Sequence, residues 1–289
     1  MRPKEIVVVS GKGGTGKTTL ASVLARELAG QCVLCDADVD VPDLWILTSP
    51  RVKVEEEFVG GDKATLNRPP CDDCGCCVPA CRFGALSAGN GKVVLDRSRC
   101  EGCGACTLVC PRGAFSLAPA VQGRIYGSET EYGSFWHARL HPGGENSGRL
   151  VQVLRERARK TAEEQGKPWI LADGPPGIAC PAISALTGCS VALAVTEPSK
   201  SGLHDLKRLG ELAARFRVPM AVVLNRCDLS EEGAQEIREA CREKGWPLLA
   251  EIPFLRGVVE DLARARIPAD IDSRTAGRIL RGAESLLSR

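Results

Sequence analysis

Aromatic residues make up only 4% of this 289-residue chain. That leaves too few rings for a base-stacking platform on single-stranded nucleic acid. An excess of one charge is also missing, since 38 Lys+Arg stand against 36 Asp+Glu. Without a global field, neither nucleic acid nor an anionic membrane is expected as the main partner. No run of about 18 apolar residues occurs, and the N-terminus opens straight into the strand-like Ile6-Val7-Val8-Val9 with no apolar signal region. These absences point to a cytoplasmic protein without a membrane span.

What is present is a hydrophobic content of 44%, enough for one large α/β core and a small accessory domain. Cysteine is abundant: 15 residues, nine of them crowded between positions 71 and 110. In a long chain with no secretion signal, that density favours metal over disulfides.

Along the chain the first unit reads strand (Ile6–Ser10), glycine loop (Gly11–Thr18) and helix from Thr19, with Leu20, Val23, Leu24 and Leu28 on one face. A second strand, Cys32–Cys35, ends in the acidic run Asp36-Ala37-Asp38-Val39-Asp40. The α/β rhythm resumes only after position 145, with a helix near Gly148–Gln165 and strands at Trp169–Ala172, Val191–Thr196, Met220–Leu224 and Leu248–Ile252. Helices are expected at 202–215 and 231–244. This alternation predicts an α/β fold with a doubly wound, mostly parallel sheet, built from residues 1–63 and 119–289.

Residues 64–118 change character: turn-rich, dense in Cys and Gly, and too polar to form a core without metal. They read as an inserted small α+β domain. Cys71–Leu86 and Cys100–Leu117 repeat one pattern, four spaced cysteines followed by Gly-Ala. Residues 119–145 read as a connecting strand or hairpin, and His137 and His141 within them as surface or capping groups. The stretch Thr275–Leu287 reads as an amphipathic helix docked on the core.

Gly11-Lys12-Gly13-Gly14-Thr15-Gly16-Lys17-Thr18-Thr19 contains G-x-x-x-x-G-K-[ST] after a strand and before a helix, the phosphate-binding P-loop. Glycines let backbone N–H groups converge on phosphate oxygens, and the helix N-terminus adds its dipole. Lys17 is expected on the β- and γ-phosphates and Thr18 on Mg²⁺.

Cys100-x2-Cys103-x2-Cys106-x3-Cys110-Pro111 is the bacterial ferredoxin run, and Cys71-x2-Cys74-x2-Cys77-x3-Cys81 repeats its spacing. Three thiols of such a run hold one cubane and the fourth reaches the other. Two [4Fe–4S] clusters are expected, one on Cys71, Cys74, Cys77 and Cys110, the other on Cys100, Cys103, Cys106 and Cys81. Zinc is the alternative occupant of either set. Two features depart from the pattern: Cys81 precedes Arg82 where proline is usual, and Cys76 is an additional thiol beside Cys77. Cys76 reads as a free or neighbouring thiol, with replacement of Cys77 the alternative.

With Lys12 inside the loop, the chain resembles the MinD/ParA/Mrp family of ATPases, whose signature is K-G-G-x-G-K-T, and more narrowly its members carrying an inserted ferredoxin domain, related to the orange-protein-associated ATPases. The resemblance implies ATP/ADP with Mg²⁺, and an ATP-dependent homodimer, or a heterodimer with a paralogue, in which Lys12 reaches the partner's phosphates. It implies that Asp173, before Gly174-Pro175-Pro176-Gly177, holds Mg²⁺ through water, that Asp36 supports the metal and that Asp38 orients the attacking water. Asn225, Arg226 and Pro253 take the base side. Asn225-Arg226-Cys227-Asp228 has Arg where the guanine-reading motif has Lys, which favours ATP over GTP. Cys180, seven residues after Asp173, reads as a small buried residue at a helix start, with a metal role as the alternative because its placement resembles that of a cluster ligand of the nitrogenase iron protein. Cys32, Cys35, Cys189, Cys227 and Cys241 read as packing residues.

Three functions follow as expectations. The chain hydrolyses ATP slowly and its nucleotide state controls a partner in metal or cluster assembly and delivery. Alternatively, ATP gates electron transfer from the clusters to a partner, or the chain is a positioning ATPase in cell division or partitioning.

Overall fold

The computed structural model describes residues 2–144 and 148–288. Glu145, the last residue of the expected connector, lies outside them. In chain order the elements are β1 (Lys4–Ser10), α1 (Lys17–Glu27), β2 (Cys32–Asp36), α2 (Leu44–Thr48) and β3 (Arg51–Leu66). Next come β4 (Leu86–Gly89), β5 (Lys92–Leu95), α3 (Ala105–Val109), β6 (Phe115–Thr130), β7 (Gly133–Leu140) and α4 (Arg149–Glu164). The remainder are β8 (Trp169–Pro176), α5 (Cys180–Leu186), β9 (Val191–Thr196), α6 (Lys200–Arg215), β10 (Met220–Asn225), α7 (Glu231–Lys244), β11 (Leu248–Ile252), α8 (Arg256–Ala263) and α9 (Ser273–Ser285).

Two compact units result. The first comprises Met1–Glu55, Ile125–Arg139 and Asn146–Arg289, and the second Glu56–Arg124 and Leu140–Glu145. The main sheet has the order β11-β10-β9-β1-β8-β2-β7-β6-β3. Its pairings from β11 through to β7 are all parallel. The expected α/β fold with a mostly parallel sheet is therefore present. Its central strands are near-continuous apolar runs because helices cover both faces: Ile6, Val7, Val8 and Val9 are all buried, as is every residue of β9.

The 119–145 connector resolves into more than a link. A short turn joins β6 to β7 as a hairpin, and both are strands of the main sheet. β3 had no counterpart among the expected strands. Most of its sixteen residues are exposed, so its sequence carries no buried period to read.

α1 buries Leu20, Val23 and Leu24 in the core, and α9 adds Ala276, Ile279 and Ala283 to the same cluster. The C-terminal helix thus docks as expected. Among the described residues, no helix is long and apolar enough to cross a membrane.

His137 corrects the expectation of a surface group. It is 3% exposed, stacked between Tyr126 and Phe135, with Nε2 3.1 Å from Ser128 Oγ. His141 is exposed. A second buried polar group anchors α4 to β1: Arg155 makes a bidentate pair with Glu5, which also accepts from Arg159.

In the second unit β4 and β5 form an antiparallel pair. A small cluster of Ala64, Cys77, Ala85, Leu86, Val93, Cys100 and Phe115 is its core.

Removing one partner of a buried ion pair leaves an uncompensated charge. Arg155→Ala should therefore lower unfolding free energy by roughly 3–5 kcal/mol, read by urea denaturation. A loss within the range of an ordinary surface substitution would disprove the anchoring role. Burial, with Arg139 adding to it, lowers the His137 imidazole from 6.5 to about 4. The unfolded chain then takes up the proton first as pH falls, so stability present above 6.5 is lost on the way down to about 4. Between about pH 7 and about pH 5 the parent should lose roughly 2 kcal/mol relative to a His137→Phe chain. Parallel pH profiles of the two chains would refute this.

Candidate functional site

The expected site residues of the first unit gather at the carboxyl ends of the parallel strands, where ligands sit in open α/β sheets. Ser10 ends β1 and Asp36 ends β2; Asp173 is the neighbour of Asp36 in the β2–β8 register. Asn225 ends β10, and Thr196 at the end of β9 precedes Glu197.

The loop between β1 and α1 depends on its glycines at two points. Gly16 adopts φ 97° as the residue before α1, and a Cβ there would lie 2.4 Å from Asn225 Nδ2. Gly11 packs on α6, where a Cβ would come within 2.3 Å of Asp205 Cβ. No side chain caps α1, so its first N–H groups are left for an anion. Gly13 and Gly14 have open space where a Cβ would stand. Thr15 is buried with Oγ1 lacking a hydrogen-bond partner.

Lys17 is 6% exposed and its Nζ lies 2.9 Å from Asp38 Oδ2 and 3.8 Å from Asp173 Oδ1. Burial alone would lower its ammonium, but Asp173 and Asp38 outweigh it and raise the group, which stays charged. Thr18 Oγ1 donates to Asp173 Oδ2 at 2.6 Å. Burial pushes Asp173 up to about 6, with Lys17 and the Thr18 hydroxyl working against it. Asp36 is pushed well above the carboxylate range by burial, then by Asp173 and Asp38. Its two oxygens accept from the backbone N–H groups of Asp38 and Leu44, so it shapes the Asp36–Leu44 loop. Three carboxylates face one ammonium, and Asp38 Oδ1 and Asp173 Oδ1 are buried without hydrogen-bond partners. Buried carboxylate oxygens in that condition lack positive charge.

Lys12 turns away from the loop onto its own chain. Its Nζ lies 2.6 Å from Glu197 Oε1, 2.9 Å from Ser201 Oγ and 3.3 Å from Ser199 Oγ. The other Glu197 oxygen, Oε2, accepts from Arg226 Nη1 at 3.2 Å. Asn225 Nδ2 donates to Thr15 O at 2.8 Å and fixes the loop. Gly16, Thr19, Asn225, Arg226, Pro253 and Phe254 line one cavity with an apolar wall from α8. Its lining is partly polar and partly apolar, as a nucleobase requires.

In the second unit, Cys81 from the first cysteine run lines one cavity together with Cys100, Cys103 and Cys106 from the second. Cys110 of the second run packs against the small core that holds Cys77 of the first. Burial raises the Cys77 thiol. Two backbone amides point at sulfur: Ala64 N–H donates to Cys100 Sγ and Ala114 N–H to Cys110 Sγ, each at 3.3 Å. Gly102 at φ 62° allows this chain to approach Asp62 O, which a Cβ would meet at 2.1 Å. No three His, Cys, Asp or Glu side chains among the described residues close on a single ion. Cys180, in the first unit, opens α5 and is exposed, against the expectation of burial. Cys32, Cys35, Cys189 and Cys241 are buried, and Cys227 is half-buried.

Glu197, Ser199 and Ser201 escaped the sequence reading. The one signal for them was position: Glu197 directly follows a central strand, and Ser199 caps α6 by accepting from Gly202 N–H. Val258 in the base-side cavity carries no motif at all.

Residues 6–269 match the profile of a family described as CobQ/CobB/MinD/ParA nucleotide binding domain. An uncharacterized protein of Methanocaldococcus jannaschii is 33% identical over 224 residues, spanning 77% of this chain and 78% of its own length. The fold is similar to that of the cell division ATPase MinD of Pyrococcus furiosus, with TM-score 0.55 and 21% identity over 98% of this chain and 100% of that one. It is also similar to the septum site-determining protein MinD of Pyrococcus horikoshii in complex with Mg-ADP, with TM-score 0.50 and 20% identity over 99% and 94% of the two chains.

Asp38 occupies the ammonium that a phosphate would need. Asp38→Asn removes that competitor, and ATP should bind about tenfold tighter, or about 1.4 kcal/mol, in titrations with a fluorescent analogue. Equal or weaker binding would show that the two do not compete for Lys17.

Proposed function

The chain belongs to the CobQ/CobB/MinD/ParA nucleotide-binding family, and from that premise we propose an ATP-hydrolysing, dimer-forming iron–sulfur protein whose nucleotide state controls a partner in metal or cluster assembly and delivery. The observation that carries the iron–sulfur half is the crossing of thiols between the two cysteine runs. Cys81 shares a cavity with Cys100, Cys103 and Cys106, and Cys110 packs against the core that holds Cys77. Exchange of the fourth ligand between adjacent cysteine runs of this spacing is the arrangement of two-cluster ferredoxins. Cys71, Cys74, Cys77 and Cys110 would hold one [4Fe–4S] group, and Cys100, Cys103, Cys106 and Cys81 the other. Bound there, they would supply one-electron chemistry or sulfur-bridged iron for transfer. The small apolar core of the second unit supports the reading, since the inserted segment 64–118 then gains its stability from metal.

The nucleotide half rests on the partnerless oxygens around Lys17. Thr18 and Asp173 would hold Mg²⁺, as the donor set suits a hard dication. Bound there, Mg²⁺ would neutralise charge on the β- and γ-phosphates. Lys17 leaves Asp38 for those phosphates, which frees the Asp38 carboxylate to orient water for in-line attack. Lys12 leaves Glu197 and reaches the partner protomer's nucleotide, whether that protomer is a second copy or a paralogue. The apolar wall around Pro253 and Phe254 takes adenine. Mg-ADP in the Pyrococcus horikoshii relative supports this cofactor choice.

The two halves separate experimentally. Lys17→Ala should abolish phosphate release while iron and inorganic sulfide stay at parental levels. Cys103→Ala should lose iron while ATP still binds. Equal iron loss in both variants would overturn the division into two modules, and sulfide-free anaerobic protein would end the cluster reading. Incubation of the parent with a cysteine-bearing apo-acceptor, with ATP or a slowly hydrolysed analogue, tests delivery. Iron should move to the acceptor in a nucleotide-dependent way. Cluster oxidation with no iron leaving would shift the function to electron transfer.

A further inference from the structure

The main sheet ends in two edge strands, β11 and β3, and the chain treats them differently. β11 is five residues long, follows Pro247, and shares a hydrophobic core with α9 through Ala250 and Ile252. Shortness and cover of that kind keep other strands away from an edge. β3 has neither. It is sixteen residues long, and residues 51–57 at its start contain no glycine or proline to break the pairing of another strand. All of these are exposed except Glu56, which is half-buried, and the apolar Val52 and Val54 are 50% and 42% exposed.

Strand alternation puts Arg51, Lys53, Glu55 and Glu57 on one face and Val52, Val54 and Glu56 on the other. The charged face therefore runs plus, plus, minus, minus. Charges commonly shield an edge, and a run of one sign would repel every copy of itself. This run is antisymmetric: it repels a parallel copy and matches an antiparallel one. In an antiparallel pair, opposed side chains lie on the same face, so opposed residues of two copies must have the same parity. Turned about Val54, Arg51 meets the second copy's Glu57 and Lys53 meets its Glu55, each pair occurring twice by symmetry. Val54 meets its own counterpart with Val52 diagonal to it, which covers apolar surface that the single chain leaves in water. Moving the centre by one residue sets Lys53 against Lys53, or Glu55 against Glu55. Only the register at Val54 opposes every charge with its opposite. Glu55 and Glu56 also have partners within their own chain, so the contact between copies adds to theirs.

We propose that β3 is a self-association edge, on which two copies of this chain pair residues 51–57 antiparallel about a two-fold axis at Val54 and continue one sheet into the other. The contact is separate from the ATP-dependent dimer proposed above and needs neither nucleotide nor cluster.

The test uses the full chain, purified without oxygen and freed of nucleotide. A seam of two strands is smaller than a standard interface, so sedimentation equilibrium should show monomer–dimer exchange with a Kd on the order of 10 μM. Arg51→Glu with Lys53→Glu makes the charged face wholly acidic, and Glu55→Lys with Glu57→Lys makes it wholly basic. Each double variant should associate at least about tenfold more weakly than the parent. Mixed together the two should pair, because every opposed charge is matched again, and a chain carrying all four changes should dimerise as the parent does. Recovery in the mixture also shows that neither variant fails by misfolding. A parent that is monomeric at about 100 μM, ten times that Kd, or a mixture that stays apart would overturn the contact. So would a dimer lost in Lys12→Ala and kept in both double variants, which would place association at the nucleotide loop.

Discussion

Lys17 sits at the foot of its loop with Asp38 on one side and Asp173 on the other, and the rest of the nucleotide site is arranged around that contact. A buried ammonium must be paired, and these two carboxylates pair it. They are themselves buried, so they too need a cation, and one lysine does not satisfy both. The leftover oxygens of Asp38 and Asp173, together with the Thr15 hydroxyl, are the residue of that imbalance. In the proposed reading, a magnesium-bound phosphate chain would give Lys17 anionic oxygens and the carboxylates a dication, so the charge imbalance matches the ligand's own.

The same logic of shared partners extends outward through Glu197. One carboxylate holds Lys12 with one oxygen and Arg226 with the other. The loop lysine expected to act across a dimer and an arginine of the base-side cavity are therefore tied to a common acceptor. Movement at either end alters the electrostatics of the other. Ser199, which caps α6 and also touches Lys12, brings the helix start into the same network.

Much of this was readable before any coordinates. The phosphate loop is local in sequence and its meaning lies in spacing, as do the two cysteine runs. The apolar strands β1, β9 and β10 are continuous runs because both faces are covered, which makes them easy to recognise. What stayed hidden depended on distant residues or on absent periodicity. Glu197 meets Lys12 from 185 positions further along, and no motif marks it. β3 is long but mostly exposed, so it shows no alternation that a buried face would impose. His137 lies in a polar connector, and only the folded hairpin places Tyr126 and Phe135 on either side of its ring.

The thiols that cross between runs have a consequence for biosynthesis. In the proposed ligand sets Cys77 goes with Cys110, and Cys81 with Cys100, Cys103 and Cys106, so neither run would be a finished receptor by itself. A ribosome releasing this chain would expose the cysteines of the first run before either set could close, and a nascent chain stalled between the runs would present bare thiols to oxidation.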